Sequence, residues 1–148
     1  MKNTTQKILA LFLVAITLFS FASCKGGETP PEVPENSLWD TAVYTEDTEF
    51  IYGKKHLGIL FTVEGKTIVF NIYSDTNTVG DALLESDLVK GTEGAYGLYI
   101  SHVNGIKAVY EEDGAYWAFY DRDGELMRTG VDMTSFFDGD VYELRYTK

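Results

Sequence analysis

Apolar and polar residues alternate along two neighbouring stretches in the middle of the chain. The apolar positions are Leu57, Ile59, Phe61 and Val63 in the first stretch and Ile68, Phe70 and Ile72 in the second. A period of two places alternate side chains on opposite faces of a strand. The short polar segment Glu64-Gly65-Lys66 between the stretches is typical of a turn. The pattern therefore predicts a β-hairpin with one buried face.

The apolar spacing becomes helical immediately after this hairpin. Val79, Ala82, Leu83 and Ser86 fall on one face of a helix, and Thr78 precedes them as an N-cap with Asp81 three places later as a capping partner. We expect this helix to end near Val89, before Lys90-Gly91.

Further strands are predicted in the second half of the chain. Gly94 to Gly97 opens a strand group with Leu98 and Ile100 on one face, and Asn104-Gly105 is a strong hairpin signal because both positions tolerate positive φ. Strands are also predicted at 116–120 and 141–146, with a short helical turn at 133–137. The order β-β-α-β-β-β-β indicates an α+β fold, β-grasp-like, with one helix packed on a mostly antiparallel sheet.

The first 23 residues have the pattern of a secretory signal. Lys2 and Lys7 precede an apolar stretch over 8–21, which is shorter than the roughly 20 residues that a membrane-spanning helix needs. The segment Phe21-Ala22-Ser23-Cys24 resembles a bacterial lipobox, whose cysteine receives a lipid and becomes the first residue after cleavage. We therefore expect Cys24 to be a lipid anchor on the outer face of the cell membrane. A plain signal peptide followed by an incidental cysteine is the alternative.

Residues 24–37 are predicted to be a flexible tether, and residues 38–148 the folded domain. All three prolines of the chain lie in residues 24–37, together with two glycines and few apolar residues. Such a composition buries too little apolar surface to fold by itself. The remaining 38–148 is long enough to form one hydrophobic core.

Composition and motifs exclude several classes of function. The formal charge of −11 argues against nucleic-acid binding, which requires a basic surface. One cysteine and two histidines leave no cysteine-built zinc site and no internal disulfide. His56 and His102 have no orienting partner in sequence, and no nucleophile elbow, zinc-protease motif or phosphate loop is present. We expect a protein that is not an enzyme and has no cofactor.

The ten tyrosines are the most informative residues of the predicted domain. In the strand 116–120, alternation places Trp117 and Phe119 on the core face and Tyr116 and Tyr120 on the opposite face, with Tyr99 beside them. One helix covers only one face of a sheet, so an aromatic opposite face indicates a ligand or a partner. The alternative is that these tyrosines form cross-strand pairs that stabilise an open sheet.

Several motifs in fixed order resemble the transcobalamin C-terminal-like domain, a family of unknown function found in bacterial surface lipoproteins. The matching segments are Thr78-Val79-Gly80-Asp81-Ala82-Leu83-Leu84, Gly94-Ala95-Tyr96-Gly97-Leu98-Tyr99-Ile100, Val103-Asn104-Gly105-Ile106, Tyr116-Trp117-Ala118-Phe119-Tyr120, Gly130-Val131-Asp132 and Asp138-Gly139-Asp140-Val141-Tyr142. The resemblance covers 38–148.

This resemblance implies a ligand-binding β-domain. In transcobalamin a related β-domain closes over cobalamin against a helical domain, and this sequence predicts no helical domain. We therefore expect a corrinoid or another small planar ligand, captured for uptake. The ligand-binding residues predicted from the matching motifs are Tyr96, Tyr99, Asn104, Tyr116, Trp117 and Tyr120. The alternative is an adhesion module that docks a surface protein or a glycan through the same face.

Overall fold

Across residues 36–148, the fold consists of two sheets and two short helices. The computed structural model describes residues 36–148. The strands are β1 (Thr48–Ile51), β2 (Lys55–Val63), β3 (Lys66–Ser74), β4 (Val89–Gly94), β5 (Gly97–Val103), β6 (Ile106–Lys107), β7 (Tyr116–Asp121) and β8 (Asp140–Thr147). The helices are α1 (Val79–Glu85) and α2 (Tyr110–Asp113), and 3-10 turns lie at Leu38–Thr41 and Val131–Met133.

The larger sheet has five strands in the order β1-β3-β2-β8-β7. The predicted hairpin β2–β3 is confirmed, and its two antiparallel strands lie inside this sheet and not at its edges. However, β8 lies parallel to β2 and β1 lies parallel to β3. The presence of helices beside mainly antiparallel and mixed sheets agrees with the predicted α+β class. The larger sheet, however, is mixed and not mostly antiparallel as predicted. Long connections to β1 and β8 make parallel pairing possible, and alternation alone does not report strand direction.

The smaller sheet has three antiparallel strands in the order β4-β5-β6. Its turn at Asn104-Gly105 is confirmed, since the two φ angles are 52° and 82°. The sequence pattern missed β4, whose residues after Val89 are all exposed. Gly94 to Gly97 form the turn between β4 and β5, and β5 begins at Gly97, so the predicted strand with Leu98 and Ile100 is confirmed. A charged, glycine-rich strand carries no apolar alternation, which is why it was missed.

Helix α1 begins as predicted and ends earlier. The Thr78 side chain accepts a hydrogen bond from the Asp81 backbone N–H at 3.1 Å, which confirms the cap. The helix ends at Glu85 and not near Val89, because Asp87 adopts a left-handed φ of 54° and Val89 already begins β4. The predicted turn at 133–137 is displaced to Val131–Met133, and α2 is a second helix where the sequence pattern predicted only one.

One hydrophobic core lies between α1, the smaller sheet and one face of the larger sheet. Phe61 and Phe70 are fully buried, and their rings lie 5.5 Å apart. Val79, Ala82 and Leu83 of α1 are also fully buried in this cluster. The predicted core position of Trp117 and Phe119 is confirmed, since both are buried in this cluster.

The proposed signal peptide and Cys24 lie outside the described residues, as does the tether up to residue 35. Residues 36–148 contain no helix with the length and hydropathy needed to span a membrane.

Candidate ligand-binding site

A cavity of about 210 Å³ lies where the two sheets meet. It is bounded by β5, by β7 and by the chain that leads into the second 3-10 turn. The lining residues are Leu98, Tyr99, Ile100, Tyr116, Trp117, Phe119, Gly130, Val131 and Leu144. Most of these side chains are apolar or aromatic, which is the usual composition of a small-molecule site.

The floor of the cavity is held in place by aromatic packing. Trp117 is only 9% exposed and stacks on Phe61, with 5.4 Å between ring centroids. Tyr146 meets Trp117 edge-on at 5.7 Å. Burial raises the pKa of Tyr146, and the negative charges of Asp113 and Glu64 raise it further. The Trp117 ring is therefore packed between Phe61 and Tyr146, and the raised pKa keeps Tyr146 uncharged at neutral pH.

Three partly exposed tyrosines form a rim beside the cavity: Tyr99 of β5, Tyr110 of α2 and Tyr116 of β7. The Tyr110 backbone N–H donates to the Tyr99 hydroxyl oxygen at 3.3 Å, and the Tyr110 and Tyr116 rings meet edge-on at 6.5 Å. Tyr99 and Tyr116 are each 41% exposed. We call these three residues the tyrosine rim.

The structure brings together only some of the predicted ligand-binding residues. Tyr99, Tyr116 and Trp117 surround one cavity. Tyr99 was expected on the same outer face as Tyr116 and Tyr120 of β7. It belongs instead to β5 of the smaller sheet. Tyr110, which contacts both Tyr99 and Tyr116, was not among the predicted residues.

Tyr96 lies apart from the cavity lining, at the tip of the β4–β5 hairpin. It is 97% exposed, and Ala95 beside it is also exposed. A shallow hollow of about 270 Å³ follows the hairpin tip from Gly94 to Tyr99.

Tyr120 lies on the outer face of the larger sheet, as predicted, but it has a partner there. The Arg145 guanidinium lies 4.5 Å from the centre of its ring. Arg145 also donates to both carboxylate oxygens of Glu143, at 2.9 and 2.7 Å. Burial of Glu143 opposes ionisation, yet hydrogen bonds from Arg145 and Thr62 bring the net pKa of Glu143 below its usual value. Here the tyrosine belongs to a cross-strand cluster.

Asn104 is not on a surface, so its predicted place in a ligand surface is corrected. It is 1% exposed, and its side chain bridges the Tyr44 backbone. The side-chain oxygen accepts from Tyr44 N–H at 2.9 Å, and the side-chain amide donates to the Tyr44 carbonyl at 2.8 Å. A buried side chain whose oxygen and amide nitrogen both bond the backbone of another segment has a structural role.

The charge around the tyrosine rim is acidic. Helix α2 carries Glu111, Glu112 and Asp113, and the Tyr99 hydroxyl donates to Glu111 at 3.2 Å. Lys107 pairs with Glu112. Such a surface disfavours anionic ligands and tolerates neutral or cationic ones. Within 36–148 no group of three or more His, Cys, Asp or Glu side chains is arranged to hold a metal ion.

Comparisons with known proteins give a structural likeness. No protein-family model matches the chain, and no curated protein matches its sequence. The fold is similar to the crystal structure of a candidate metal-binding protein from Ruminococcus gnavus ATCC 29149, with a TM-score of 0.59 and 29% identity over 64% of this chain and 98% of that one. It is also similar to haptocorrin in complex with Cbi, with a TM-score of 0.53 and 19% identity over 64% of this chain and 25% of haptocorrin. The chain thus shares its fold with one part of a transcobalamin-like protein.

Proposed function

We propose that this chain is a lipid-anchored extracellular protein whose β-domain binds a small planar ligand, a corrinoid in the first instance, without catalysing a reaction. The observation that carries the proposal is the apolar cavity beside the tyrosine rim. Aromatic faces that are partly exposed and held by their neighbours provide flat contact area at low entropic cost.

The cavity is smaller than the roughly 300–1,000 Å³ of a typical ligand pocket. A corrin ring therefore cannot be enclosed by this domain alone. In the proposed complex the ring lies against the tyrosine rim, and one substituent enters the cavity. A second protein that covers the other face of the ring fits this arrangement.

The likeness to haptocorrin in complex with Cbi supports the corrinoid as the first ligand to test. Membership of the transcobalamin C-terminal-like family and a β-grasp architecture are parts of the same proposal. The order of a hairpin, a helix and a last strand parallel to β2 supports the β-grasp interpretation.

Attachment to the outer face of the cell membrane through Cys24 rests on the sequence of the first 37 residues. In cells that produce the full chain, Cys24→Ser is expected to move the protein from the membrane fraction to the medium. Retention of the variant in the membrane fraction would contradict a lipid anchor at this position.

The ligand proposal is tested by calorimetric titration of the fragment 25–148, which contains every described element of the fold. Cobinamide and cobalamin are the probes. The double variant Tyr99→Ala with Tyr116→Ala is expected to lose affinity at least tenfold, about 1.4 kcal/mol. Tyr52→Ala is the matched control, because Tyr52 is also exposed but lies next to β1. Absence of saturable binding to the unaltered fragment would overturn the corrinoid proposal.

A second candidate function is adhesion to a surface protein or glycan, and the exposure of Tyr96 at the hairpin tip favours it. Tyr96→Ala is expected to abolish capture of a surface partner from intact cells if this function operates. Under the corrinoid proposal the same variant keeps its affinity for cobinamide, because Tyr96 does not line the cavity.

A further inference from the structure

Two buried polar atoms have no hydrogen-bond partner among the described residues: Nε1 of Trp117 and Oδ1 of Asp132. Trp117 lines the cavity, and Asp132 directly follows Gly130 and Val131, which also line it. Buried donors and acceptors nearly always have partners in folded proteins. An unpaired donor in the cavity lining, and an unpaired acceptor on the residue that follows Gly130 and Val131, therefore favour a ligand group that both accepts and donates a hydrogen bond.

The backbone around Asp132 is shaped to accommodate its side chain. A Cβ atom on Gly130 would lie 2.7 Å from Oδ1, and one on Gly97 would lie 2.6 Å from Oδ2. A Cβ atom on Gly80 would lie 2.7 Å from the Asp132 Cα. Three glycines from different parts of the chain thus leave room for this residue. The carboxylate is packed closely against Gly97 and Gly130, and Gly130 lines the cavity, although Oδ1 receives no hydrogen bond.

The chemistry of a ligand group that would bond both atoms follows from their donor and acceptor character. An indole N–H requires an acceptor, and a carboxylate requires a donor. A primary carboxamide supplies both from one planar group. A ligand carboxylate has no donor and would be repelled by Asp132 and the acidic α2, and an alkyl group would leave both atoms unpaired.

We propose that the cavity binds a primary carboxamide of the ligand, whose oxygen accepts from Trp117 Nε1 and whose N–H donates to Asp132 Oδ1. This inference rests on the proposed function, because it assigns the cavity to a substituent of the ligand that lies on the tyrosine rim. It names neutral, amide-bearing compounds as the ligand class.

The first test compares cobinamide, whose ring carries primary amides, with the same corrinoid after its amides are hydrolysed to carboxylates. The fragment 25–148 is expected to bind the amide form at least tenfold more tightly. Asp132→Asn and Trp117→Phe are each expected to weaken cobinamide binding about tenfold, and Asp132→Asn to narrow the preference for the amide form. Asp123→Asn, which removes the same charge from an exposed turn, is the control and is expected to bind normally. Unchanged cobinamide affinity in both cavity variants would overturn the inference and leave the proposed function standing.

The second test does not depend on corrinoids. Propionamide is titrated into the unaltered, ¹⁵N-labelled fragment, and the indole N–H resonance of Trp117 is followed with propionate as the control. A saturable shift with propionamide alone supports the carboxamide site even if cobinamide does not bind, in which case only the corrinoid proposal fails. Equal shifts with both compounds, or no shift with either, would contradict the carboxamide site.

Discussion

Replacement of Asn104 is the sharpest test of how this fold is held together. Asn104 sits in the β5–β6 turn with a φ of 52°, and its side chain bonds both backbone groups of Tyr44, which is 60 residues away in sequence. The Tyr44 ring in turn packs edge-on against Phe50 at 5.4 Å. One side chain therefore joins the segment before β1 to the smaller sheet.

The expected cost of Asn104→Ala has two parts. Loss of the two hydrogen bonds costs about 1 kcal/mol each, at the middle of the range for such bonds. Alanine in the left-handed region adds about 1 kcal/mol of backbone strain. We therefore expect the free energy of unfolding to fall by about 3 kcal/mol for Asn104→Ala and by about 2 kcal/mol for Asn104→Gly. Glycine adopts a positive φ without strain, but it also lacks the side chain that makes the two hydrogen bonds.

The assay is urea unfolding of the fragment 25–148, followed by tryptophan fluorescence and by circular dichroism. Asn71→Ala is the matched control, since Asn71 lies in a strand and has one side-chain hydrogen bond in the structure, to His56 at 2.9 Å. We expect its cost to be near 1 kcal/mol. Equal destabilisation by alanine and glycine at 104 would refute the strain argument, and a cost below about 0.5 kcal/mol for both would refute the bridging role.

Two further predictions concern acid stability and a close backbone contact. The pKa of Glu143 is lowered in the folded state, so the stability from its pairing with Arg145 is complete above the unfolded pKa and is lost as pH falls through the folded pKa. Unfolding midpoints between pH 7 and pH 3 should therefore fall less for Glu143→Gln than for the unaltered protein, and parallel curves would contradict this. Gly97→Ala should destabilise the fold more than Gly124→Ala in urea unfolding. Both glycines have positive φ, but only at 97 would the new Cβ meet Asp132, at 2.6 Å, whereas at 124 it meets nothing within 4 Å. Equal costs would show that this contact relaxes freely.

Local patterns predicted the elements that leave a recognisable signal in a few neighbouring residues. Alternation identified β2, β3 and β7 because each has one face in the core, and the cap at Thr78 identified the start of α1. The Asn104-Gly105 turn was predicted because two successive positive φ angles restrict the residue types. In these places the physical cause of the structure lies within a few neighbouring residues.

The missed strands have other causes. β4 is exposed along most of its length and is held by pairing with β5, so its side chains carry no burial signal. β1 follows an acidic segment and has one buried side chain, Phe50. Its parallel pairing with β3 depends on a partner more than 20 residues away.

The difference between local sequence signals and long-range contacts also explains which residues in and around the cavity could be predicted. Alternation in β7 placed Trp117 on the core face, and its burial confirms that position. Tyr110 contacts the cavity residues Tyr99 and Tyr116 only because the tertiary fold brings α2 against β5 and β7. In the same way, Asp132 lies against Gly97 and Gly130 only in the folded chain. The glycines around Asp132 looked like ordinary loop or helix residues, and their common role appears only when a Cβ is considered at each of them. A sequence in which Gly80, Gly97, Gly130 and Asp132 occur together would therefore identify this cavity better than its tyrosines do, because tyrosines also occur as cross-strand partners, as Tyr120 does here.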